Sequence, residues 1–186
     1  MSSDVHPVPA ASITAWDHEA DVVIAGFGIA GAAAAVEAAR AGAEVLVLER
    51  SGSWGGAASM AGGFVYLGGG TPIQKACGFD DSVENMTAFL NVAMGPGADQ
   101  NRIADYCAGS LEQFDWLVGC GVPFKAEFWS EPGWEPMGDQ GLAYSGGENS
   151  YPFNTIAEPA PRGHVPQMSN KQQGLSSAGF MLMKPL

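Results

Sequence analysis

Four residues set out the chemistry: Gly26, Gly28 and Gly31, spaced as G-x-G-x-x-G, and an acid, Glu49, eighteen residues beyond the last of them. That spacing suits a diphosphate. Gly26 permits a tight turn off a strand, Gly28 has no side chain to hold an anion away from the backbone, and Gly31 lets a helix pack close to a sheet. The helix N-terminus, with unpaired N–H groups and the positive end of its dipole, would then bind the pyrophosphate. Glu49 would accept hydrogen bonds from the hydroxyls of an adenosine ribose. A carboxylate there disfavours a phosphorylated ribose, which argues against NADP.

Glycines in this pattern can also serve helix–sheet packing alone, so the flanking elements decide. Val22, Val23 and Ile24 form a β-branched run before the turn, an alanine-rich segment follows it until Gly42, and a second apolar run, Val45 to Leu48, closes on Glu49. Strand, glycine turn, helix, strand and acid make a dinucleotide-binding βαβ unit.

After Glu49 and Arg50 comes SGSWGGAASMAGGFVYLGGGT. A flexible linker of this glycine content would be polar and serine-rich. Here Trp54, Met60, Phe64, Val65, Tyr66 and Leu67 interleave with the glycines, which suggests backbone lying against something flat and apolar. A flavin ring is one such object, and a crowded bend in the core is the other reading.

Further along, Asp81-Ser82-Val83-Glu84 has the form of a capping box with Asp81 as N-cap, opening a helix that Gly95-Pro96-Gly97 ends. Apolar positions from Ile103 to Val118 recur at helical spacing and predict one helix from about Gln100 to Val118. From 125 to 178 the periodicity fades into a Pro- and aromatic-rich stretch, expected to be irregular. Its aromatic residues either line an apolar pocket or plug the edge of a core. Residues 1–20 read as an extended arm in which Trp16 could pack against the first strand and His6 and His18 are exposed. Phe180 to Leu186 resembles the start of an apolar helix.

Eight basic and twenty acidic residues give a net charge of −12, which argues against nucleic acid and anionic membrane surfaces. No long apolar run predicts stable membrane insertion, and no leader pattern is visible at the start. Cys77, Cys107 and Cys120 form no C-x-x-C pair, so neither a disulfide framework nor a metal site is expected, and a cytoplasmic location fits.

GFGIAG at 26–31, LER at 48–50, GGAASMAGGFVYLGGGT at 55–71 and WLVGCGVPF at 116–124 together resemble the FAD-dependent fumarate reductase/succinate dehydrogenase superfamily. Within it the chain is most similar to the 3-ketosteroid dehydrogenases of the 4-position, 5α-steroid type, through EPGWEP at 131–136, YSGGE at 144–148 and APRGHVPQM at 160–168. The resemblance implies an α/β fold: a Rossmann-like FAD-binding domain over 21–186, with a βαβ unit and following helices, incomplete without a C-terminal part that carries another glycine-rich flavin segment. It implies Gly26, Gly28, Ala30 and Gly31 at the pyrophosphate, Glu49 at the ribose and Arg50 beside the adenine end. Gly55, Gly56, Ala57, Ala58, Ala61, Gly62 and Gly63 would run along the pyrophosphate, ribityl chain and flavin.

Two positions depart from the family pattern. Ala57-Ala58 stands where many members have Asn-Ser, so backbone groups must replace side-chain hydrogen bonds. Gly56 stands where succinate dehydrogenases carry a flavin-linking His, so FAD is expected to be non-covalent. The implied reaction removes a proton from one carbon and hydride from its neighbour beside a ketone, on a small, apolar, steroid-like substrate. A fumarate reductase-type enzyme on a small dicarboxylate is the alternative, but a chain rich in aromatics and poor in arginine favours the steroid. A nucleotide-binding fragment without activity of its own and an NAD-dependent dehydrogenase are the remaining readings. The residues present name no electron acceptor and no catalytic acid or base. Tyr66, Tyr144, Tyr151 and His164 are pocket candidates, His164 more readily as an exposed or structural residue.

Overall fold

The computed structural model describes residues 6–131, 135–167 and 178–186. Trp134, the centre of EPGWEP and Met168 lie outside the described residues. The β-branched run forms β1 (Val22–Ala25), the alanine-rich segment α1 (Ile29–Arg40) and the second apolar run β2 (Val45–Leu48). The two strands pair in parallel, Val22 against Val45 through Ala25 against Leu48. Gly42, at φ +90°, ends the helix in the left-handed conformation that glycine adopts without strain. Trp16 is 67% exposed, on an approach in which the described residues form a 3-10 turn at Ala10–Ser12.

A second layer begins with the short helix α2 (Gly56–Met60), strand β3 (Val65–Tyr66) and helix α3 (Pro72–Ala76). Thr71 caps α3 in a reciprocal box with Gln74, and Pro72 occupies the first helical position, where its missing N–H costs nothing. Helix α4 (Val83–Ala93) is capped by Ser82, whose hydroxyl accepts from Asn85 N–H. Asp81, expected in that role, is diverted inward to a buried partner described below. The single helix expected over 100–118 is two, α5 (Gln100–Ala108) and α6 (Ser110–Gly119), divided at Gly109. Gly109, where a Cβ would lie 3.3 Å from the Asp105 carbonyl oxygen, stands at the C-cap of α5, and Ser110 turns its hydroxyl inward to accept from Gly68 N–H.

Within 125–167 the structure finds β4 (Leu142–Ala143) and β5 (Gly163–His164). They join β3 in an antiparallel sheet of order β3-β5-β4. Leu67, Ile73, Phe114, Leu117, Val122 and Leu142 form the core beneath it, with Phe124 and Phe128 against its edge. The aromatic residues therefore plug this core more than they line an opening: Phe79 meets Phe128 and Tyr144 edge-on, and Phe153 meets Phe89. Met86, Ile103 and Cys107 make a smaller cluster between α4 and α5. The βαβ unit docks onto α6 where Glu37 Oε1 accepts from both Arg40 Nη1 (2.7 Å) and Trp116 Nε1 (2.6 Å). All three cysteines are free, and among the described residues no helix is long and apolar enough to cross a membrane.

Buried polar groups tie the second layer together. Asp81 accepts from Arg162 Nε (2.9 Å) and Nη2 (2.7 Å), from Gly69 N–H and from Gln74 and Asn85. Both ion-pair side chains are fully buried. Burial alone would raise the Asp81 pKa, but the hydrogen bonds and charge of Arg162 more than offset it and hold the carboxyl below its ordinary range. His164 bridges Thr71 Oγ1 (2.8 Å) and the Arg162 carbonyl (3.1 Å) between the rings of Phe114 and Phe124. It is structural and buried, and burial pulls its pKa down to about 4, against a smaller opposing effect of the Arg162 carbonyl.

Two outcomes are expected. Arg162→Met in the intact protein leaves Asp81 buried without its countercharge and lowers unfolding stability by about 3–5 kcal/mol, measured by denaturant titration. His164 binds a proton more readily when unfolded than folded, so stability falls as pH drops from 6.5 towards about 4. The loss is about 3 kcal/mol, and His164→Gln flattens that segment of the pH–stability curve.

Candidate nucleotide-binding site

The turn between β1 and α1 is shaped by two glycines. Gly26 sits at φ +97°, and a Cβ on Gly31 would lie 2.0 Å from the Gly26 carbonyl oxygen and 3.3 Å from Ile24 Cγ2. Neither position accommodates a side chain. Gly28 differs: it is the N-cap of α1 at φ −85°, and a Cβ there would meet nothing within 4 Å. No side chain caps α1, and its first turn holds no acid. The N–H groups at this end are therefore available to an anion that approaches past Gly28 and Ala30.

Glu49 pins the turn. Its Oε2 accepts from Phe27 N–H at 2.7 Å, and its Oε1 from Ser51 N–H (2.8 Å) and Ser51 Oγ (2.9 Å). The Ser51 and then the Phe27 backbone N–H pull its pKa down to about 2, so it is a carboxylate throughout the physiological range. A carboxylate offers about four acceptor sites, so with three taken one remains, on Oε2, that a ribose hydroxyl could use. Arg50 beside it is exposed.

The glycine-rich stretch completes the surface. Gly55 N–H donates to the Phe27 carbonyl at 2.7 Å, and a Cβ on Gly56 would lie 3.7 Å from Gly28 Cα, so α2 abuts the glycine turn. Gly56, Ala57, Ala61 and Gly62 are exposed alongside Ile29 and Ala30. From there the surface leads to a cavity of about 380 Å³ lined by Ile29, Ala58, Ala61, Gly62, Gly63, Phe64 and Leu182. Its wall is small and apolar, as a flat ring system requires.

Some glycines of the stretch also serve packing. At Gly63 a Cβ would come 2.3 Å from the Ala178 backbone, and at Gly179 2.1 Å from the Ala58 carbonyl oxygen. These contacts seat helix α7 (Ala178–Met183) against α2. Gly68 instead makes room for Asp81 and Arg162, and Gly55 for Ser59. The crowded-bend reading thus holds at Gly55, Gly63 and Gly68, while the exposed Gly56 and Gly62 leave the open surface that the flavin reading needs. Of the tyrosines, Tyr151 is 83% exposed, Tyr144 packs in the aromatic edge of the core and Tyr66 turns towards Phe89. None lines the cavity.

Ile29, Phe64 and Leu182 line the cavity without being among the residues that the sequence marks as site residues. The place of Ile29 inside the motif was a usable signal, whereas Leu182 reaches the cavity only through the tertiary contact of α7.

Residues 21–185 match the FAD binding domain family. A 3-oxo-5-alpha-steroid 4-dehydrogenase of Comamonas testosteroni is 35% identical over 167 residues, 87% of this chain and 31% of that protein. The crystal structure of 3-ketosteroid-delta4-(5alpha)-dehydrogenase from Rhodococcus jostii RHA1, in complex with 4-androstene-3,17-dione, is 67% identical with a TM-score of 0.89, covering 97% of this chain and 38% of that one. The open conformation of a flavocytochrome c3 fumarate reductase shares the fold at a TM-score of 0.62 and 21% identity, over 99% of this chain and 30% of that one. The chain thus spans about a third of the length of these relatives.

Proposed function

The chain belongs to the FAD binding domain family, and on that premise we propose that it supplies the nucleotide-holding part of a dehydrogenase acting on the carbon–carbon bond beside the ketone of a 3-ketosteroid. One observation carries the flavin reading: an α1 N-terminus without a side-chain cap opens beside a surface of small residues that leads to an apolar cavity. The steroid as substrate rests on the 67% identity to the Rhodococcus enzyme.

Gly28, Ala30 and the first N–H groups of α1 would hold the pyrophosphate, and Glu49 the ribose. Gly56 to Ala58 and Ala61 to Gly63 would follow the rest of the cofactor, with Ile29, Phe64 and Leu182 excluding water from the ring. When bound, the flavin supplies a two-electron acceptor beside the substrate. With Ala57 and Ala58 in place of hydrogen-bonding side chains, backbone groups and shape alone orient it along this wall, and no covalent link is made at Gly56.

The experiment is turnover by the intact protein. A saturated 3-keto-5α-steroid with an artificial electron acceptor is expected to yield the conjugated enone, followed by its ultraviolet absorbance. Turnover of a small dicarboxylate and none of the steroid would reverse the substrate assignment.

Two glycine variants separate the cofactor site from the scaffold. Gly28→Ala adds a Cβ that meets nothing within 4 Å in the protein, so it is expected to keep the thermal stability within about 0.5 kcal/mol. FAD affinity should fall roughly tenfold to a hundredfold, through the 1–3 kcal/mol of a steric intrusion. Gly31→Ala drives a methyl into the Gly26 carbonyl and is expected to lose about 1–3 kcal/mol of folding stability itself. Flavin absorbance after gel filtration and a melting curve read both.

A further inference from the structure

Strand β3 is two residues long, and immediately before it the chain lines the cavity with Gly62, Gly63 and Phe64. Whatever holds β3 therefore holds the cavity wall. Its backbone pairs with β5, and the Tyr106 hydroxyl donates to the Tyr66 carbonyl. On the side-chain side three buried polar atoms, Tyr66 Oη, Arg162 Nη1 and Glu148 Oε1, make no hydrogen bond among the described residues. Arg162 is 0% and Glu148 1% exposed, so bulk solvent does not serve them.

Their chemistry is complementary in one order. A guanidinium has only protons to give, a carboxylate only lone pairs, and a phenol does both. Arg162 commits Nε and Nη2 to Asp81, which leaves Nη1. Glu148 commits Oε2 to Gly146 N–H at 2.9 Å, which leaves Oε1. The phenol lies at the turn that Glu148 holds, where a Cβ on Gly146 would come 3.3 Å from Tyr66 Oη; burial and then the Glu148 carboxylate raise its pKa, and Arg162 opposes them. Tyr66 thus keeps its proton to donate. Phe89 stacks on the Tyr66 ring with centroids 6.3 Å apart and lies 5.3 Å from the Arg162 guanidinium carbon, which fixes both heads on one side of the strand.

The geometry points to Tyr66 as a positioning residue: its hydroxyl accepts from Arg162 Nη1 and donates to Glu148 Oε1, directly or across one water, closing a buried chain Asp81–Arg162–Tyr66–Glu148 that fixes β3 and the flavin-facing wall before it. The chain clasps the approach to α4, the start of β5 and the turn after β4 onto β3. Tyr66 touches no substrate or cofactor and acts through the backbone of residues 62–64. The inference rests on the flavin reading of the cavity.

The test uses the intact, FAD-loaded protein. Tyr66→Phe keeps the ring and its packing and is expected to raise the FAD dissociation constant about threefold to tenfold, as the loss of one hydrogen bond would. Glu148→Ala is expected to match it, while Glu148→Gln, which retains an acceptor oxygen, stays near wild type. Because the two groups belong to one chain, Tyr66→Phe with Glu148→Ala is no weaker than either alone. A merely structural role would lower the melting temperature and leave FAD affinity unchanged. That result, or additive losses in affinity, overturns the proposal. Wild-type protein that neither retains nor takes up flavin overturns this inference and the flavin reading together, whereas flavin-loaded wild type with an unaffected Tyr66→Phe overturns this one alone.

Discussion

The nucleotide half depends on a steric constraint: α1 approaches its own turn so closely that residue 31 can carry no side chain. A Cβ there would lie 2.0 Å from the Gly26 carbonyl oxygen, well inside any tolerable contact. The turn is then fastened from three directions, by Gly26 N–H to the Leu48 carbonyl, Phe27 N–H to Glu49 and Gly55 N–H to the Phe27 carbonyl. The acid that reads as a ribose ligand is thus also a structural strut. A carboxylate is suited to both roles, since three of its about four acceptor sites hold Phe27 and Ser51 while the fourth, on Oε2, remains.

The second layer solves a different problem. Its strands are two residues each, too short for ladder hydrogen bonds and face burial to specify a register alone. Side-chain polarity supplies what the backbone cannot. Asp81 accepts from five donors drawn from four separate segments, and Gln74 uses its amide oxygen on Gly70 and Thr71 N–H while its nitrogen reaches Asp81 and the Pro161 carbonyl. Directional bonds of this kind fail if any segment slips. Burying such an ion pair is weak evidence for net stability, but it is strong discrimination against misaligned pairings.

What the residue order makes legible is whatever is local. β1, α1 and β2 follow from periodicity and glycine placement, and so do the bounds of α4. The errors share a cause. Asp81 was expected at a helix cap because the cap motif is local, yet its partner Arg162 lies 81 residues away and no spacing rule reaches that far. The break at Gly109 was masked by apolar positions that stay in phase across it. The Thr71 box was missed, although T-P-I-Q, a capping residue followed by proline and glutamine, carries its signal locally. In the site, the residues drawn from GFGIAG and from GGAASMAGG do meet, with Gly56 against Gly28. Leu182 arrives from the far end of the chain, through the glycine contacts of α7 on α2.

Those α7 contacts change what a glycine-rich segment signifies. Gly62 is exposed and Gly63 buried, though they are adjacent. The first leaves a surface on which a ring can lie, and the second, at φ +74°, turns the chain so that α7 can close behind that surface. Mobility would defeat both purposes, because a cofactor held by shape and backbone needs a wall already in place. The two alanines at 57 and 58 sharpen the demand. In the proposed site Ala57 and Ala58 offer a ring no side-chain hydrogen bond, so its orientation there would fall to the backbone behind the cavity, which the packing of α7 braces.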